Sequence, residues 1–197
     1  SASNWTNGIP NSSTDVIIPG GLSNYPIINT SGLFTRSIRI EAGASLEIAG
    51  NNNITLTGNW ENQGTFIANN STVNFVSSCG SQRITANNTQ DFYDWTVNNL
   101  EGVELFGAGF NQRGVLTIDN GTVRSNNLLT LISDGTRTAS IAEIKGTGDF
   151  TGSIVMQRHI DAGATNWRFL SSPVSGATIA DWQDNFVTSG YPGSLWP

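Results

Sequence analysis

The sequence predicts an all-β protein built as a parallel β-helix, a coil of short strands stacked turn upon turn. Between about residue 36 and residue 155, apolar and polar residues alternate over four to six positions, as at Val73 and Phe75. This alternation is typical of strands with one buried face. Asn- and Gly-rich turns separate the strands, and strand starts fall about eight residues apart, too close together for crossover helices.

An antiparallel sandwich joined by hairpins would show the same alternation. The parallel coil is favoured because the turns differ in length and lack regular two-residue hairpin signals. Apolar, Asn and Gly positions also recur as stacked turns require. The asparagines at 51–53 and 69–70 are expected to form side-chain amide ladders between turns.

The chain before the coil is predicted to be a cap. Residues 1–35 contain one brief apolar strand, at 15–18, which lies between Pro10 and Pro19. Proline cannot donate a hydrogen bond to a sheet ladder, and the open end of a solenoid needs a cover. Residues 36–160 are then expected to form the β-helix itself.

The character of the sequence changes near residue 160. Residues 161–197 are predicted to be the start of a following domain or a C-terminal cap, and to be incomplete. A strand is expected at 167–170. Thr178, with Asp181 three residues later, resembles a helix N-cap and predicts one short helix over 178–186.

Charge composition argues against some partners. Charged residues make up 12% of the chain and the formal net charge is -6, with Lys145 as the only lysine. Binding a phosphate backbone needs clustered cations, so neither nucleic acid nor an anionic membrane surface is expected as a partner. No stretch approaches the roughly 20 apolar residues that span a bilayer, so membrane insertion is not expected.

Cysteine and histidine occur once each, as Cys79 and His159. A single cysteine excludes an internal disulfide and a cysteine-based metal cage, and a single histidine excludes a three-histidine zinc site. No metal and no cofactor is therefore expected. Cys79 lies in a Ser-Ser-Cys-Gly turn, where it is either a tolerated small residue or a reactive thiol.

The acidic and basic residues do not suggest a catalytic centre. Glycoside hydrolysis needs two carboxylates on one face, but Asp91 and Asp94 are three positions apart and would face opposite sides of a strand. Arg83, Arg113 and Arg124 are scattered. The sequence therefore predicts a protein that is not an enzyme.

Two aromatic residues are candidate ligand-binding residues. Tyr93 and Trp95 could form a stacking platform for sugar rings, with nearby Asn side chains binding the hydroxyl groups. Trp60 and Phe92 are expected in the core instead. Ice binding by a threonine array is not expected, because the threonines do not fall into one repeated Thr-x-Thr motif.

Several segments resemble a pattern found in large secreted proteins of the Bacteroidetes. Residues 58–66, Gly-Asn-Trp-Glu-Asn-Gln-Gly-Thr-Phe, are followed by a Val-x-Phe strand at 73–75 and a Gln-x-Ile strand at 82–84. Residues 92–99, Phe-Tyr-Asp-Trp-Thr-Val-Asn-Asn, match the next unit of that pattern. The match continues at 102–105, 114–121 and 167–174.

The resemblance implies a right-handed parallel β-helix in a secreted or cell-surface, adhesin-like protein that is exported by the type IX secretion system. The implied partners are a glycan or protein at the cell surface and the type IX export machinery. The chain departs from a complete member because it has no recognisable C-terminal sorting domain. Cys79 also occupies a position where glycine or a polar turn residue is commoner.

Two functions follow from these observations. The first is a non-catalytic surface or secreted β-helix module that acts as a stalk or adhesin segment. The second is an accessory or catalytic part of a secreted polysaccharide-degrading enzyme. A smooth Asn/Thr outer face would favour the first, and an aligned cluster of acidic and basic residues on one outer face would favour the second.

Overall fold

A computed structural model describes residues 5–160 together with Gly176 and Thr178. Within these residues the chain forms short β-strands and no helix. The strands of the first half are β1 (Val16–Ile18), β2 (Ile27–Ile28), β3 (Leu33–Thr35), β4 (Ile38–Ile40), β5 (Ser45–Ile48), β6 (Asn53–Leu56), β7 (Trp60–Asn62), β8 (Thr65–Ile67), β9 (Thr72–Ser77) and β10 (Gln82–Ala86). Those of the second half are β11 (Gln90–Phe92), β12 (Asp94–Asn99), β13 (Val103–Gly107), β14 (Phe110–Gln112), β15 (Val115–Asn120), β16 (Thr122–Arg124), β17 (Leu129–Leu131), β18 (Ser140–Ile141), β19 (Asp149–Thr151) and β20 (Ile154–Met156).

The strands stack into a β-solenoid of about seven turns. Every third strand joins the same sheet, so β1, β4, β7, β10, β13, β16 and β19 form a seven-stranded sheet. A six-stranded sheet contains β3, β6, β9, β12, β15 and β18. A three-stranded sheet (β2, β5, β8) and a four-stranded sheet (β11, β14, β17, β20) contain the remaining strands.

All strand pairs between turns are parallel, which confirms the predicted parallel coil over the antiparallel sandwich. Val16 pairs with Ile38, and Ile38 pairs with Trp60, so one turn takes about 22 residues here. The one antiparallel contact within the described residues is an isolated bridge between Ser133 and Thr138.

The core fills the inside of the coil. Inward residues alternate along each strand and stack on the inward residues of the next turn, as Leu56 does on Phe75 and Val97 on Ile118. Each such fully buried side chain contributes about 1.5–3 kcal/mol relative to exposure. Because every turn packs mainly on its two neighbours, stability accumulates along the axis.

The first turn of the coil lies in the segment predicted to be a cap. β1, β2 and β3 pair in register with β4, β5 and β6. Among the described residues, those before β1 lie at the open end. Trp5, Ile9 and Pro10 line an apolar cavity of about 90 Å³ at that end of the coil.

The chain divides into two compact units, Ser1–Ile160 and Asp161–Pro197. The boundary coincides with the predicted change at residue 160. The strand predicted at 167–170 lies outside the described residues, and so does the helix predicted at 178–186, apart from Thr178.

One turn is longer than the others. Val123 of β16 pairs with Phe150 of β19, about 27 residues later, whereas Val103 and Val123 are about 20 residues apart. Part of the extra length is a small hairpin between β17 and β18, closed by the bridge from Ser133 to Thr138. The strands on both sides of it keep parallel register.

Candidate functional site

The structure places the two predicted ligand-binding aromatics in different environments. Trp95 is 1% exposed, and its ring packs against Phe75 and Phe92, with centroids 6.0 and 5.7 Å away. Its ring faces are therefore closed to a surface ligand. The pairing of Tyr93 with Trp95 as one sugar platform is wrong, whereas the predicted core positions of Trp60 and Phe92 are confirmed.

Tyr93 lies at the corner between β11 and β12 and is half-buried. The guanidinium carbon of Arg137 lies 4.4 Å from the centroid of its ring, a cation–π contact. Arg137 therefore covers one face of the Tyr93 ring.

The hairpin between β17 and β18 holds Arg137 in this position. Oδ1 of Asp134 accepts hydrogen bonds from the backbone N–H groups of Thr136, at 2.8 Å, and Arg137, at 3.1 Å. The Thr136 hydroxyl also donates to Oδ1. This bond above all, together with the two backbone bonds, holds the pKa of Asp134 below its ordinary value. The hairpin is thus a turn held by its own hydrogen bonds.

The predicted acidic pair does not converge on one point. Asp91 accepts hydrogen bonds from Nε of Arg113 and Nδ2 of Asn111, each at 2.7 Å. Asp94 instead accepts a hydrogen bond from the backbone N–H of Val115 at 2.6 Å. Both carboxylates therefore link one turn of the coil to the next.

The segment 58–66, which carries the resemblance, runs from β7 of the seven-stranded sheet to β8 of the three-stranded sheet, and its aromatic side chains point into the interior. The Trp60 ring is fully buried and meets Phe66 edge-on, with ring centroids 4.7 Å apart. Such edge-to-face pairs add about 0.5–1.5 kcal/mol beyond the burial of area. The aromatic residues of the motif are thus core residues.

The polar residues of the same segment turn the corner between β7 and β8. Asn62 is buried; its Oδ1 accepts the backbone N–H of Gly64 at 2.9 Å, and its Nδ2 donates to Gln90 of the next turn at 2.6 Å. A Cβ at Gly64 would collide with the carbonyl oxygen of Ala44 in the preceding turn. Only glycine fits this close approach.

The outward side of the seven-stranded sheet carries alternating charges. We call Arg39, Glu61, Arg83, Glu104 and Arg124 the charged face. Arg39 is in register with Glu61 and their side chains are 3.7 Å apart. Arg83 is in register with Glu104, and its guanidinium lies 3.9 Å from the centroid of the Phe106 ring.

The outward side of the six-stranded sheet carries a different row. Side chains that share one register position on four successive turns form what we call the threonine row: Thr55, Asn74, Thr96 and Thr117. Phe34 continues the row at one end, in register with Thr55, and is 49% exposed.

Sequence reasoning missed the threonine row, although a signal for it exists. Each member lies between two inward residues, as Thr96 does between Trp95 and Val97. Aligning the strands by their inward pairs brings the outward residues into one row. A search for Thr-x-Thr along the chain does not find it.

Cys79 is exposed, and its carbonyl oxygen accepts a hydrogen bond from the Ser77 hydroxyl at 2.9 Å. The backbone N–H of His159 donates to the hydroxyl of Ser133 at 2.9 Å, so His159 lies beside the hairpin. In residues 5–160, Gly176 and Thr178, no group of three or more His, Cys, Asp or Glu side chains is placed to hold a metal ion.

By its fold the chain is a parallel β-solenoid. No protein-family model, no curated protein and no solved structure matches it. In the part of the chain that the structure describes, no helix has the length and hydropathy needed to cross a bilayer.

Proposed function

We propose that this chain is a non-catalytic module of a secreted or cell-surface protein, in which the coil acts as an adhesin-like stalk. The observation that carries the proposal is the seven-stranded parallel stack over one continuous apolar interior. Seven strands spaced about 4.8 Å apart extend roughly 30 Å. A rod of this kind holds its outer faces at a fixed distance and orientation.

The details of the coil fit a structural role. Asp91 and Asp94 link neighbouring turns, and Asn62 and Gly64 shape a corner. The motif that resembles secreted Bacteroidetes proteins thus consists of residues that build a solenoid turn. The ground on which we propose export by the type IX system is the sequence resemblance itself.

We propose a right-handed coil. Connections between parallel strands of one sheet are right-handed in about 98% of cases, because strands twist in that sense. The partners we propose are a glycan or protein at the cell surface, together with the type IX export machinery during secretion.

Cys79 provides a direct test of location. Its thiol is exposed and it is the only cysteine of the chain. A membrane-impermeant maleimide added to intact cells of the native source is expected to label the protein on the surface or in the medium. The Cys79→Ser variant is the matched control and should lose the label at this position.

The result that would overturn the proposal is labelling that requires cell lysis. An antibody against residues 16–156, applied to the medium, the intact cells and the lysate, provides an independent measure that does not depend on the state of the thiol. A protein found only in the lysate would contradict a surface or secreted module.

A further inference from the structure

We propose that the threonine row, with Phe34 at its end, binds a neutral polysaccharide chain that lies along the coil axis. This inference rests on the proposed function and names the surface and ligand class of the adhesin-like module. It assigns the binding to the six-stranded sheet, not to the corner at Tyr93.

Spacing is the first argument. Thr55, Asn74, Thr96 and Thr117 lie on four successive turns in one register position. Neighbouring strands are about 4.8 Å apart. This repeat is comparable to the length of one pyranose unit in an extended chain, so each turn presents one polar group per sugar.

Hydrogen-bonding capacity is the second argument. The one bond within the row joins Nδ2 of Asn74 to the hydroxyl of Thr55, and it is long, at 3.4 Å. Among the described residues, no partner is found for the hydroxyls of Thr96 and Thr117. A hydroxyl both donates and accepts, so the row can bond the hydroxyl groups of a sugar chain without breaking protein contacts.

Phe34 supplies an apolar surface at one end of the row. Its side chain is 49% exposed and in register with the hydroxyl-bearing Thr55, and it also borders the apolar cavity at the end of the coil. An exposed aromatic face beside hydrogen-bonding groups suits a sugar ring, which has an apolar face and polar edges.

Charge selects a neutral ligand over an acidic one. The row itself is uncharged. Two carboxylates lie on its strands: Asp94, on the same strand as Thr96, and Asp119, on the same strand as Thr117. Both would repel the carboxylates of an acidic polysaccharide. A hydroxyl-rich uncharged chain is therefore the complementary partner.

The experiment measures binding of the full chain to neutral polysaccharides. Microcrystalline cellulose is used in a pull-down, and soluble β-mannan and xyloglucan are used in affinity electrophoresis, with polygalacturonate as the acidic comparison. We expect binding to at least one neutral polysaccharide. Thr96→Lys, which places a long charged chain in the row, and Phe34→Ala, which removes the ring, should each weaken it by about tenfold.

Matched controls lie on the outward side of the seven-stranded sheet, beside the charged face. Thr85 is an outward threonine in the same turn as Thr96, and Phe106 is an outward phenylalanine of the seven-stranded sheet. Thr85→Lys and Phe106→Ala should leave binding unchanged. These controls separate loss of the row from general effects of added charge or lost apolar area.

Several results would overturn the proposal. They are binding to none of the neutral polysaccharides, binding to polygalacturonate alone, and neutral binding that survives both Thr96→Lys and Phe34→Ala. Shaping of growing ice crystals without polysaccharide binding would also overturn it, and would assign the row to ice. Surface labelling of Cys79 is independent of these variants, so failure of the row and failure of the surface location are distinguishable.

Discussion

The charged face and the threonine row cover the same interior, but their side chains make different contacts. On the charged face, Arg39 contacts Glu61 and Arg83 stacks on Phe106. In the threonine row the one hydrogen bond between side chains is the long bond from Asn74 to Thr55. The side chains of the charged face make contacts between turns, whereas the threonine row has one long hydrogen bond.

The difference teaches that the outer faces are not what holds the coil together. Beneath both faces lies one aromatic cluster. The centroid of the Phe92 ring lies 5.5 Å from that of Trp60, under the charged face, and 5.7 Å from that of Trp95, under the threonine row. Because the interior fixes the fold, the outward residues of a face are free to serve recognition.

Truncation of the two buried tryptophans should give the largest effect. Trp60→Ala and Trp95→Ala are each expected to lower the free energy of unfolding by about 3–5 kcal/mol, since each leaves a cavity against Phe92. Urea unfolding measures both values. Similar losses of unfolding free energy in the two variants would mean that both faces pack on one core.

The controls for this comparison are Trp60→Phe and Trp95→Phe. The indole Nε1 of each tryptophan is buried without a hydrogen-bond partner among the described residues. Phenylalanine removes that unpaired donor and keeps much of the apolar volume, so its cost should be smaller. A near-neutral Trp95→Ala would contradict the buried position of Trp95.

Acid should weaken the contact between Asp15 and Arg36, at the start of the coil. Asp15, just before β1, accepts a hydrogen bond at 2.7 Å from Nε of Arg36, just before β4, and this bond lowers the pKa of Asp15. A lowered folded pKa stabilises the coil above the unfolded value of 3.8, and the contribution is lost as pH falls through the folded value.

The pair is exposed and screened by solvent, so the expected loss is small. It is measured as the difference between the parent chain and Arg36→Ala in urea unfolding at neutral pH and below about pH 4. Arg36→Ala should lack this part of the acid sensitivity. Equal acid sensitivity in the two proteins would show that the pair contributes nothing.

The contact between Arg39 and Glu61 should give the smallest effect. Both side chains are exposed, at 48% and 38%, and the closest atoms are 3.7 Å apart. A double-mutant cycle with Arg39→Ala and Glu61→Ala is expected to yield a coupling of about 0.2–0.5 kcal/mol that vanishes at high salt. A coupling above about 1 kcal/mol would mean that the charged face does stabilise the coil.

The sequence predicts the coil well because alternation and turn residues are local signals. It predicts less well which side chains point inward where two strands meet at a corner. Phe92 ends β11 and Trp95 lies in β12, with Tyr93 at the corner between them. The corner restarts the alternation, so Phe92 and Trp95 both point inward although three positions separate them.

The threonine row shows a second limit. Thr55, Asn74, Thr96 and Thr117 follow one another at unequal intervals, because corners differ in length from turn to turn. Register between strands is a property of pairing, and no single strand carries it.

The asparagines at 51–53 and 69–70 are a further case. Asn69 donates to the Ile48 carbonyl at 2.8 Å and to the Glu47 carboxylate at 3.1 Å, and the expected amide ladder at these positions is wrong.

The hairpin between β17 and β18 has a consequence for protein engineering. The strands before and after it keep their register, with Leu129 on Ile154 and Leu116 on Ile141, although this turn is the longest. A corner of the coil therefore tolerates additional chain. A peptide epitope grafted at Gly135, between Asp134 and Thr136, would be displayed at a defined position on the rod while the backbone ladders on either side continue unchanged.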